Sequence, residues 1–177
     1  MFKRAILGTA LALVILTVGF VQLADQPFKN VEASEIQQQI QKSSLQVRLE
    51  MLELSVMPTT AEEAVQTFAK AVKLRNGALQ YAILSEKEKA KVKKSFEECH
   101  WVTGVSSPWV ETYQIICEKE LKPGTKMEYV VEFELYTSTG MAGTDEVRLI
   151  MEKTNDQWLI TKIEPASKKS LGIWKPF

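Results

Sequence analysis

The chain has 177 residues with 22 Lys+Arg against 22 Asp+Glu, so its formal net charge is zero. That balance gives no overall pull toward nucleic acid. A single His and two Cys, Cys99 and Cys117, exclude a multi-histidine metal site, and the cysteines lack zinc spacing, so no metal and no cofactor is expected.

Lys3 and Arg4 precede Ala5–Leu23, an apolar run of 19 residues. As a helix this run would be about 28 Å long, close to a hydrocarbon core of roughly 30 Å. The basic flank lies on the N-terminal side, so residues 1–24 are predicted to be a membrane anchor or signal segment. An uncleaved single span is preferred, because the run exceeds a usual h-region and Gln22 suits a cleavage site poorly. The expectation is therefore a single-pass cell-membrane protein, held by its N-terminal helix, with the C-terminal domain outside; secretion is the alternative.

Residues 25–57 read as a polar stalk followed by an extra strand. Leu45, Val47, Leu49 and Met51 alternate with Gln46, Arg48 and Glu50, which suits a half-buried strand, a helix being the rival. Residues 58–177 then form one domain of ordinary size. Thr60-Ala-Glu-Glu63 is a capping box, and Ala61, Ala64, Val65, Phe68 and Val72 share one helical stripe. Asn76-Gly77 reads as a helix stop, Ala78–Leu84 as a short helix, and Ser85-Glu-Lys-Glu88 as the cap of a third helix ending near Glu98.

Five strands are expected after that: Cys99–Val105, Trp109–Leu121, Lys126–Ser138, Asp145–Lys153 and Gln157–Glu164. Lys122-Pro-Gly124 and Asn155-Asp156 read as turns, and Thr139–Thr144 as a glycine-containing loop. In the third strand Tyr129, Val131, Phe133 and Leu135 oppose Glu128, Glu132 and Glu134. Helices first and a strand meander afterwards give an α+β fold, the N-terminal helices packing on a strongly curved antiparallel sheet.

The segments TAEEAVQTFAKAVKLRNGALQYAILS, WVTGVSSPWVETYQI and EVRLIMEKTNDQWLITKIE resemble the NTF2-like (cystatin-like) superfamily. The second is similar to extracytoplasmic domains of Gram-positive bacteria, some of them joined to BlaR-type antibiotic-sensing membrane peptidases. The resemblance implies a cone of bent sheet around the helices. It further implies a membrane-tethered extracytoplasmic, non-catalytic binding or accessory module in a cell-envelope or antibiotic response. The alternative is an isomerase- or dehydratase-like enzyme using the cone interior. No catalytic residue is assigned, because His100 is the only conventional neutral-pH base and the strand glutamates read as an outward face.

His100, Trp101, Trp109 and Tyr113 are the candidate ligand-binding residues. Trp101 and Trp158 are expected in the core. Trp109 and Trp174, the latter in the tail Gly172–Phe177, are candidates for a rim or for the surface of a protein partner. Lys87, Lys89, Lys91, Lys93 and Lys94 are interrupted by Glu86 and Glu88 and followed by Glu97 and Glu98, and read as a mixed-sign helix face; the alternative is contact with an anionic cell-wall partner or lipid head groups. If Ser106–Trp109 is a hairpin turn, Cys99 and Cys117 lie opposite each other and are a candidate disulfide.

Overall fold

The computed structural model describes residues 28–176, with side chains from residue 34 onward. The chain divides into two units, residues 1–43 and 44–177. Helix α1 (Phe28–Ser55) runs through the division, and the remaining elements belong to the second unit.

Two expectations about the N-terminal part are corrected. First, no helix among the described residues is long and apolar enough to cross a membrane. This runs against the single-pass membrane location, and the anchored outside domain is withdrawn with it; the segment that suggested it, residues 1–24, lies outside the described residues. Second, the strand expected within residues 25–57 is helical instead, part of α1, in line with the rival reading. Leu45, Val47, Leu49 and Met51 are helical and between 52 % and 67 % exposed, so no sheet face buries their alternation.

Helices α2 (Ala61–Lys73), α3 (Gly77–Ala82) and α4 (Glu86–Glu98) precede four strands, β1 (Trp109–Lys122), β2 (Lys126–Thr137), β3 (Gly140–Thr154) and β4 (Gln157–Pro165). The α2 cap forms as expected. Thr60 Oγ1 accepts from the Glu63 amide at 3.0 Å, and the Glu63 carboxylate accepts from the Thr60 amide at 3.2 Å. The whole stripe Ala61, Ala64, Val65, Phe68 and Val72 is buried. The break after α2 differs in detail: Arg75 takes the left-handed conformation (φ 55°), and Asn76 starts α3 by accepting from the Leu79 amide.

The strands form one open antiparallel sheet in the order β1-β2-β3-β4. Asn155 (φ 49°) and Asp156 (φ 64°) make the two-residue turn into β4. Register shifts in β1, at the β2–β3 pair and at the β3–β4 pair mark bulges, which bend strands. The Thr139–Thr144 loop is in fact the start of β3, whose turn needs only Ser138 and Thr139. The expected strand Cys99–Val105 is a turn segment, with His100 and Trp101 both at positive φ.

One sheet face carries Tyr129, Val131, Phe133, Leu135, Val147, Leu149 and Met151, all buried against α2, which packs on all four strands. Phe68 and Phe133 are fully buried at its centre. Leu79 and Tyr81 are only half-buried, at the edge of this core. The other face carries Glu128, Glu132 and Glu134 toward solvent, as the alternation predicts.

Candidate functional site

A pocket of about 330 Å³ lies between α3, α4, β4 and the C-terminal tail. That volume is at the lower end of the roughly 300–1,000 Å³ typical of small-molecule sites. Its walls are largely apolar: Leu84 in the link between α3 and α4, Val92 and Phe96 on one side of α4, Ile163 on β4, and Trp174 and Pro176 of the tail. Val92 and Phe96 are four residues apart, so α4 turns an apolar strip toward the pocket, with Glu88 one turn further on the same side.

Polar groups reach the lining at a few points. Gln80, only 2 % exposed, donates through its Nε2 to Thr103 Oγ1 at 2.7 Å. Glu88 is ion-paired with Lys91 on the same helix. The Lys175 ammonium lies 5.9 Å from the centre of the Trp174 ring. Among the described residues, no group of three or more His, Cys, Asp or Glu is placed to hold a metal ion.

The tail wall is held by the fold. The buried carboxylate of Asp145 accepts from the amides of Ile173 (3.3 Å) and Glu146 (2.9 Å). The Gly104 amide donates to the Lys175 carbonyl at 3.2 Å, and Thr103 bridges to Pro176. Arg75 fixes the same loop, donating to the carbonyls of Thr103 (2.9 Å) and Gly104 (3.0 Å). Trp174 is therefore 4 % exposed, which corrects the expectation of a rim tryptophan.

Behind Phe96 stands an aromatic cluster. Tyr81 meets Trp101 edge-on at 5.2 Å and Phe96 at 6.0 Å, and the Phe96 and Trp101 centroids are 5.9 Å apart. Burial, then the charges of Glu86, Glu53 and Glu97, raises the Tyr81 phenol above its ordinary value.

The four residues singled out from the sequence do not come together. His100 is exposed on the loop after α4 and does not line the pocket. Trp101 is half-buried, backing the pocket through Phe96. Trp109 is 38 % exposed, its indole donating to Glu111 Oε2 at 2.8 Å. Tyr113 lies on the core side of β1, 6.2 Å from Phe133. Both cysteines are free. The hairpin that would have paired them does not form: Cys99 is the C-cap of α4, whereas Cys117 pairs with Val130 within the sheet. The pocket residues Gln80, Leu84, Phe96 and Ile163 carry no functional signal in the sequence beyond the pair Val92 and Phe96 in an otherwise charged helix.

No family model matches the chain, and no curated protein matches it. The solved structures similar in part include two proteins of different kinds. One is a SEC-C motif containing protein from Rhodopseudomonas palustris, with 10% identity over 62% of this chain and 80% of that one and a TM-score of 0.45. The other is the intermembrane space region of the chloroplast protein ARC6, with 16% identity over 59% of this chain and 92% of that one and a TM-score of 0.43.

Proposed function

We propose that the α+β domain is a non-catalytic binding or accessory module of NTF2-like type, taking a small apolar or aromatic ligand. The observation that carries this reading is the pocket of about 330 Å³ between α4, β4 and the tail, with apolar walls and the buried Gln80 amide at its edge. Such a lining stabilises a ligand by removing apolar surface from water, at about 25 cal/mol per Å². An isomerase- or dehydratase-type activity would need facing titratable groups tuned against each other. Here the ionisable groups of the lining are Glu88, already paired with Lys91, and the exposed Lys175, and that pattern favours binding over catalysis.

Fluorescence titration of the full chain with the neutral apolar probe N-phenyl-1-naphthylamine tests the proposal. Saturable binding that Ser95→Trp abolishes, by filling the pocket from an exposed helix position, supports it. Saturation unaffected by Ser95→Trp, or no saturation, overturns it.

A further inference from the structure

Gln80 gives the pocket an unused hydrogen-bond acceptor. Its side chain projects from α3, is 2 % exposed and lines the pocket. One end of the amide is committed, since Nε2 donates to Thr103 Oγ1 at 2.7 Å. Thr103 is itself fully buried and pinned on both sides of its backbone. Its amide donates to the Arg75 carbonyl at 3.2 Å, and its carbonyl accepts from Arg75 Nε at 2.9 Å. The Gln80 amide is therefore held in place before any ligand arrives.

The other end of the amide has no partner. Among the described residues nothing donates to Gln80 Oε1. Nor is that oxygen sealed inside the protein: among the described residues, the one buried side-chain polar atom without a partner is Arg148 Nε. The small part of Gln80 that stays accessible thus includes Oε1, and the pocket is what Gln80 lines. A purely apolar occupant would strip water from this oxygen and return nothing, which is unfavourable. An occupant with an N–H or O–H at that point restores the bond.

The rest of the lining narrows the class. Phe96 and Trp174 place two aromatic rings in the walls, which favours a flat aromatic body. A cation has no free counter-charge there, because Glu88 is already paired with Lys91. The acceptor itself is a neutral amide. We propose that the ligand is a neutral aromatic molecule with an N–H or O–H donor, of the indole or phenol kind, and that Gln80 Oε1 accepts from that donor. This rests on the pocket being a ligand site and adds the chemical class it selects.

Competition against N-phenyl-1-naphthylamine on the full chain tests the class, with circular dichroism confirming that each variant is folded. The competitors are indole, which donates; benzothiophene, with the same fused-ring outline and no donor; and quinoline, whose ring nitrogen only accepts. Benzothiophene is more apolar than indole, so burial alone would favour it. The expected result is that indole displaces the probe more tightly than either, by about threefold or more. Gln80→Met, which keeps a side chain of similar length and removes the acceptor, should put benzothiophene ahead of indole.

Benzothiophene ahead of indole on the parent chain overturns the proposal and leaves the pocket as a plain apolar site. Quinoline ahead of indole also overturns it, since the amide would then present its N–H groups. An indole preference that persists in folded Gln80→Met overturns the role of Gln80. If Gln80→Met does not fold, the order on the parent chain decides. Probe binding that does not saturate, or that Ser95→Trp leaves unaffected, overturns the proposal together with the reading of the pocket.

Discussion

The Gly77 amide donates to the Trp101 carbonyl at 2.8 Å, and a Cβ at residue 77 would lie 2.7 Å from Phe96 Cδ1. This close approach seats α3 against the turn after α4 and brings Phe96 and Trp101 together behind the pocket. Alanine is a better helix former than glycine by about 1 kcal/mol, yet forcing a methyl into packed backbone and ring costs about 1–3 kcal/mol. Gly77→Ala should therefore lower stability in urea unfolding, against its helix propensity.

Phe68 is fully buried between α2 and the sheet. Phe68→Ala should cost about 3–5 kcal/mol, as large core truncations do. A variant melting within a few degrees of the parent would place Phe68 outside the core.

Tyr129 is 2 % exposed, and its hydroxyl donates to Glu118 Oε1 at 3.1 Å. Burial first, then the bond and charge of Glu118, pushes the phenol up to about 12. A raised phenol pKa means the folded state holds its proton more tightly than the unfolded chain, whose tyrosines titrate near ~10. The resulting stability is present below pH ~10 and is lost as pH rises toward about 12. Ultraviolet difference titration should show Tyr129 among the last tyrosines to ionise, and Tyr129→Phe should remove this part of the alkaline destabilisation.

Asp145 holds the tail through Ile173 and is itself buried. Asp145→Ala leaves two amides without their acceptor, at about 1–3 kcal/mol each where they stay buried. The tail should loosen before the domain unfolds. Limited proteolysis should cut between residues 166 and 176, and Trp174 fluorescence should shift to the red, with the far-ultraviolet dichroism of the sheet unchanged.

Much of the fold is legible from local chemistry. Thr60 with Glu63 announces α2, Asn155-Asp156 announces the last turn, and the Tyr129–Leu135 alternation announces which side of β2 is buried. Other signals are ambiguous in physical terms. Leu45, Val47, Leu49 and Met51 satisfy a period of two, but Leu45, Leu49, Leu52 and Val56 also follow one helical stripe, and Val47, Met51 and Leu54 follow another. Nothing within that segment decides between the two readings. Gly140 and Gly143 look like loop residues, yet β3 uses both at positive φ and keeps its pairing. The pocket is less legible still: Gln80, Phe96, Ile163 and Trp174 come from four separate parts of the chain. Trp174 looked exposed because the carboxylate that ties its neighbour down is 28 residues away.

The central claim, that the pocket between α4, β4 and the tail is where a ligand binds, is tested most directly by nuclear magnetic resonance. The ¹⁵N-labelled full chain would be titrated with N-phenyl-1-naphthylamine. Saturable shifts at the Trp174 indole and the Gln80 side-chain amide are expected, with the Trp109 indole unmoved. Shifts at Trp109 or along α1, with Trp174 and Gln80 unchanged, would contradict the assignment.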